Sequence, residues 1–475
     1  MANDLKHLEL VLQKSGKKRQ PQNRFFPQPK IVEQNKANRA GHSGKLFAQA
    51  NNQKNLWAIE DNNRVLSNLP ELPKDKPLLI KIPPEQLDLD FLRTMLKMEV
   101  VCEYEDGLVI VATEPTAFED IFDKIQGFAQ SIRGNDNIAK LYAIVVEETK
   151  EERLIRVLSE QLYSIWNDIK KQPDNLLLID TSIECLGTIH VSDKPKRKND
   201  ELDEKFNKRL AVWTDKMNAA YEEWDELASI RQREIENFVG SYNAEIMDIS
   251  QSGNAESALD SFEMRIKIPV KGLIDFTENY PYIFEITFPD EFDIDALKLN
   301  LIGTPQIPFD ILEPDATSPK VCVIDSGIQE GHVYLNKAVI NGLSKSYLPD
   351  NTSVSDEFGY GGHGTRVAGA ILYPNGITGI SGQYKLPNFI INARILNENN
   401  YIPQNVIPQR VLSEIIKDSH EPNGVRIYNH SINANNSFRK KYMSGWAEMI
   451  DNLCFENDIL FIQSLLTRIS FVGLV

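Results

Sequence analysis

The sequence predicts a mixed α/β chain: a parallel-sheet domain in its last third, preceded by α+β and long-helix regions. Three observations predict it. Val321-Cys-Val-Ile324 is an all-apolar run of strand length that ends in an acid, Asp325, as in a strand buried on both faces of a parallel sheet. Between Leu78 and Val146 strand and helix periodicities alternate in the order β-α-β-β-α-β. From Phe206 to Leu227 apolar residues recur at three- and four-residue steps, which predicts one long amphipathic helix. At 475 residues the chain is too long for a single core and divides into several domains.

Residues 1–50 hold ten Lys/Arg against three Asp/Glu, a net charge of +7, and the composition predicts a mobile basic arm. No aromatic ladder accompanies the charge, so stacking on nucleic-acid bases is not expected. Residues 51–190 carry the alternating pattern. Leu78–Ile82 reads as a strand, and Leu87, Phe91 and Met95 as one helical face. Val100–Tyr104 and Leu108–Ala112 read as strands joined through Asp106-Gly107, a tight-turn pair. Phe118, Ile121, Phe122, Ile125 and Phe128 make a helical stripe, and Leu141–Val146 returns to strand. That order is ferredoxin-like. A helix bearing Leu154, Leu158, Leu162 and Ile165, then the strand-like Leu176–Asp180, complete this region.

Residues 191–257 form the long helix, with Phe206, Leu210, Trp213, Met217, Tyr221, Trp224 and Leu227 on one stripe, followed by a polar linker. Such a stripe either packs on its own domain or receives a protein partner, and packing is the commoner outcome. Residues 258–317 suggest a small element of strand, turn or helix, and strand, leading into a proline-punctuated connector.

The chemistry concentrates in residues 318–475. Asp325-Ser-Gly-Ile328 stands at the carboxyl end of the apolar strand, where α/β sheets place their ligands. Gly361-Gly-His-Gly-Thr-Arg-Val-Ala-Gly369 follows; its small residues suit a helix whose first turn presents His363 to a cleft. A carboxylate holding Nδ1–H of an imidazole fixes the tautomer and leaves Nε2 free to take a proton from a hydroxyl.

These motifs, in this order and spacing, resemble the aspartate and histidine motifs of the subtilisin-like (S8) serine peptidases. The fold class is then α/β, with a partial subtilisin-like parallel-sheet domain preceded by α+β (ferredoxin-like) and long-helix N-terminal regions. The resemblance implies peptide-bond hydrolysis, with Asp325 and His363 as catalytic residues and a polypeptide as substrate. Val425–Asn433 resembles the family's Asn-x-Ser-x-Gly strand, which implies substrate binding by Ser431, Ile432 and Asn433. Asn433 stands where glycine is usual. Ile459–Ser464 resembles the strand that leads to the oxyanion asparagine, but Ala-Gly-Asn does not follow, and no Gly-Thr-Ser occurs in the chain. A serine about 150 residues beyond the histidine would fall past Val475.

Two readings follow. One is an endopeptidase shortened by truncation or frameshift near Ser464, inactive as it stands; an oxyanion asparagine alone is worth about 3 kcal/mol of transition-state stabilisation. The alternative is a non-catalytic pseudoprotease that binds or regulates a protein partner, the N-terminal regions supplying the recognition. The family's calcium sites have no distinctive acidic loop here, so no cofactor or metal ligand is assigned. A net charge of −16 disfavours nucleic-acid binding. No apolar stretch is long enough to span a bilayer. Four scattered cysteines and an N-terminus without a secretory pattern place the protein in the cytoplasm.

Overall fold

Short, largely buried apolar strands build two small antiparallel sheets in the unit of residues 18–289, and the apolar runs after Lys320 build a parallel sheet in the unit that includes residues 290–475. The computed structural model describes residues 29–82, 91–103, 107–145, 149–187, 189, 191, 194–198, 201–250, 261–289, 309–357, 362–432 and 444–463.

In the first unit, helices α1 (Pro29–Ala37) and α2 (Arg39–Leu66) replace part of the expected mobile arm. Leu46, Ala50 and Trp57 of α2 share a core with Leu78, Ile80, Val109, Val111, Phe118 and Ile125. Of the described cations, Lys36 and Lys45 are exposed and Arg39 pairs with Asp136 at 2.7 Å. Net charge reports on the outer face of such a helix; the buried stripe decides whether it folds.

Strands β1 (Lys76–Lys81), β2 (Glu99–Glu103), β3 (Leu108–Thr113) and β4 (Ala143–Val145) pair antiparallel in the order β2-β3-β1-β4. Helix α3 (Pro115–Ala129) connects β3 to β4. This is the ferredoxin-like split β-α-β order. Phe91–Met95 of the first crossover is a π-helical turn; Leu87 lies outside the described residues. The helix expected through Leu154–Ile165 breaks into α4 (Thr149–Val157), α5 (Glu160–Ser164) and α6 (Trp166–Ile169). Ser159 causes the break by capping α5, accepting the Leu162 N–H at 3.3 Å, a local hydrogen bond that competes with helix continuation.

The same topology then recurs. Strand β5 (Leu176–Glu184), α7 (Asp203–Ser241), β6 (Glu245–Ile249), β7 (Ser261–Pro269), α8 (Val270–Asn279) and β8 (Ile283–Thr287) form an antiparallel sheet ordered β6-β7-β5-β8. The boundaries expected at 190 and 257 therefore cut a second ferredoxin-like module: β5 belongs with β7, and β6 lies inside the expected linker. Along α7, Ala220 and Trp224 pack with Met217, Tyr221, Ile189 and Val191, so this part of the stripe serves its own module. Buried charge joins the two modules. Arg231 pairs with Glu99 of β2 at 2.6 Å, donates to the Glu184 carbonyl and lies over the Tyr282 ring.

The second unit contains β9 (Phe309–Leu312), β10 (Lys320–Asp325), β11 (Lys345–Ser346), α9 (His363–Leu372), β12 (Gly382–Lys385), β13 (Phe389–Arg394), α10 (Pro408–Asn423), β14 (Ile427–His430), α11 (Gly445–Asn457) and β15 (Leu460–Gln463). Strand β9 pairs with β12, so the expected connector before 317 already contributes a strand here. The main sheet runs β11-β13-β10-β14-β15, every pair parallel. Strand β10 is central, with Val321, Val323 and Ile324 buried. Helix α10 starts on Pro408 and stops at Gly424, whose φ of +66° is the left-handed cap glycine favours. The chain builds one side of β10 first and, after α10, the other, leaving the carboxyl end of β10 at the position where such sheets bind ligands.

Candidate active site

Asp325 ends β10 with no exposed surface. The chain leaves the sheet through Gly327 at φ +103°, where a Cβ would lie 2.7 Å from the Val354 and Ser355 carbonyl oxygens. Helix α9 begins at His363 after Gly362, whose φ is +48°, and a Cβ on Gly364 would sit 2.2 Å from the Gly327 carbonyl oxygen. Only glycine permits both the left-handed turns and this approach. The first turn of α9 is thereby held against the exit of β10.

The consequence is a paired acid and base. Nδ1–H of His363 donates to both carboxylate oxygens of Asp325, at 2.8 and 2.9 Å. The backbone N–H of Ser326 donates to Asp325 Oδ1 at 2.7 Å. Burial of the imidazole lowers its pKa, but the hydrogen bond and negative charge of Asp325 outweigh that and hold it above its ordinary 6.5. Among the described residues nothing hydrogen-bonds Nε2. The pair can therefore accept a proton at Nε2 and stabilise the resulting imidazolium.

Behind the pair stands a residue that the sequence reading did not single out. Asp356 is only 4 % exposed. Its Oδ1 is 3.1 Å from Ser326 Oγ, and its Oδ2 accepts Thr365 N–H at 3.2 Å and Thr365 Oγ–H at 3.1 Å. Burial, with the nearby charge of Asp325, raises its pKa against these bonds. In the sequence it is one acid in a polar stretch, indistinguishable from a solvated turn residue.

The expected substrate segment follows β14, the neighbour of β10. His430 is fully buried, edge-on to Trp446, and donates Nδ1–H to Gln463 Oε1 at 2.6 Å. Burial drives its pKa down to about 4. Ser431 Oγ donates to Asn429 Oδ1 at 2.9 Å. Ile432 is buried and its carbonyl accepts Gln463 Nε2–H at 2.6 Å. Asn433 lies outside the described residues. Thus Asp325 and His363 meet, while Ser431 and Ile432 lie on the adjacent strand's continuation. Among the described residues no group of three His, Cys, Asp or Glu side chains is placed to hold a metal ion, and no helix is long and apolar enough to cross a membrane.

The subtilase (peptidase S8) family model matches residues 316–465. Two crystal structures of the epidermin leader peptide processing serine protease EpiP from Staphylococcus aureus, one a point mutant, are similar at 14 % identity with TM-scores of 0.29 and 0.28. The likeness covers 61 % of this chain and about 60 % of each of those chains. No curated protein matches the chain.

Proposed function

We propose, on the premise that residues 316–465 are a domain of the subtilase family, that Asp325 and His363 are the acid and base of a serine endopeptidase. The observation that carries the reading is the hydrogen bonding of His363 Nδ1–H to both oxygens of a fully buried carboxylate. Nε2 would take the proton from a serine hydroxyl as its oxygen attacks the peptide carbonyl. The imidazolium, stabilised by Asp325, would pass that proton to the leaving amine. Water would then cleave the acyl-serine with Nε2 again as base.

As the 475 residues stand, we read them as carrying base and acid without the nucleophile. Ser326 Oγ is engaged on the Asp325 side of the pair, 3.1 Å from Asp325 Oδ1 and from Asp356 Oδ1. Ser431 Oγ is turned to Asn429. Ser431, Ile432 and Asn433 are proposed to line the substrate cleft, and four scattered cysteines with no disulfide assigned among the described residues support placement in a reducing compartment. The test is a fluorophosphonate reagent on the purified chain. The expected outcome is no labelling, and labelling that His363→Ala abolishes would overturn the inactivity. Labelling of a longer product of the same gene, lost in His363→Ala and Asp325→Asn, is expected if the endopeptidase reading holds.

A further inference from the structure

We propose that Asp356 is a positioning residue for His363: it grips the helix turn that presents the imidazole, and its charge joins that of Asp325 in stabilising the imidazolium. The inference rests on reading His363 as the general base, and it adds a second carboxylate to the pair.

Three observations carry it. Asp356 engages the chain on both sides of the histidine. Thr365, two residues after His363, gives it both its N–H and its hydroxyl, and Gly362, just before His363, has no room for a side chain because a Cβ would come 2.2 Å from Asp356 Oδ2. The loop bearing Asp356 is itself fixed to the sheet. Asn392 Nδ2 donates to the Val354 carbonyl at 2.8 Å, Arg394 Nη1 to the Ser353 carbonyl at 3.1 Å, and Gln329 Nε2 to the Asp356 carbonyl at 2.7 Å. Finally, Ser326 Oγ stands 3.1 Å from one oxygen of each carboxylate while accepting Gly364 N–H at 3.1 Å.

That hydroxyl has one proton for two carboxylates. With Asp356 ionised, the proton can turn toward Asp356 and leave Asp325 Oδ1 to His363 and the Ser326 N–H. With Asp356 protonated, its O–H donates to Ser326 Oγ, and the serine proton turns to Asp325, drawing its charge away from the imidazole. The change is one bound proton and one hydroxyl rotation. The charged groups acting on His363 are Asp325 from β10, Asp356 from the loop and Arg366 from α9 itself. Glu357, beside Asp356, is paired with Arg394 at 3.0 Å.

The test follows the ring signals of His363 by NMR in the full chain labelled at its seven histidines, assigned with His363→Gln. In Asp356→Asn the side-chain oxygen still accepts from Thr365 and the amide donates to Ser326 Oγ, so the contacts survive and the charge is removed. The expected result is a lower His363 midpoint with little change in thermal midpoint. An unchanged or raised His363 midpoint would overturn the proposal, whatever the thermal midpoint does. The wild-type chain supplies a measurement that needs no variant. Its His363 signals should show a second, smaller inflection at the pH where the Asp356 carboxyl carbon titrates, and a single inflection would equally sink the idea. Neither readout requires hydrolysis, so failure of the peptidase reading would register in the labelling experiment alone.

Discussion

Acidification from pH 6.5 to 4 should weaken the parallel-sheet unit through one residue, His430. Its side chain is fully buried, Nδ1–H is given to Gln463, and Nε2 has no hydrogen-bond partner. Protonation would create a buried cation with an N–H that nothing accepts. The pKa falls from an ordinary 6.5 to about 4. Because the folded value lies below the unfolded one, the unfolded chain binds more protons between them. Stability is fully present above pH 6.5 and declines as pH falls toward 4. A gap of about 2.5 units at 1.36 kcal/mol each gives a loss on the order of 3 kcal/mol. The assay is urea unfolding at closely spaced pH values for wild type and His430→Asn, whose amide keeps the donation to Gln463. Other titrating groups cancel in the difference between the two curves. That difference should change by up to about 1.4 kcal/mol per pH unit within the window, wild type losing ground on acidification. A flat difference curve would refute the reasoning.

His363 should act in the opposite direction. Its pKa is raised, so the stability it gains from Asp325 is present below pH 6.5 and lost as pH rises through the folded value; Asp325→Asn should remove that dependence in the same unfolding series. Gly364→Ala should cost about 1–3 kcal/mol by overpacking, since its Cβ would meet the Gly327 carbonyl oxygen at 2.2 Å; a lower thermal midpoint and a shifted His363 ring signal are the readouts. Arg231→Met should cost about 3–5 kcal/mol because it strands a largely buried Glu99, and adding Glu99→Gln should recover most of the loss in chemical denaturation. Cys102, Cys185 and Cys322 are buried, with the Cys185 thiol pushed up to about 12 and Cys322 pushed higher still by burial. A thiol reagent should therefore modify Cys454 alone in the native chain, and slowly, and all four cysteines after unfolding.

Asp325 and His363 were legible in the sequence because each sits in a short contiguous pattern whose physics is local. An apolar strand ending in an acid needs no distant residue to be recognised, and neither does a glycine-rich helix start. The first ferredoxin-like module was legible for the same reason, its alternation running almost unbroken from Leu78 to Val146. The second was not: β5 finds its partner β7 only across the 39-residue helix α7, and periodicity says nothing about which strands pair. The helix through Leu46, Ala50 and Trp57 was hidden by basic residues on its outer face.

What the sequence offered by itself was the likeness of residues 316–465 to the subtilase family and the candidate pair Asp325 and His363. Tertiary structure alone decided that Asp356 lies behind that pair, that His430 is held neutral, and that the front of the chain repeats one topology twice. The physical reason is that a residue type fixes which proton or hydrogen bond a side chain can offer, whereas burial and pairing depend on residues far away along the chain. Asp356 illustrates it: the polar stretch Ser353–Glu357 reads as a solvated turn until β10 and α9 close over it, and the loss of water turns an ordinary acid into part of the site.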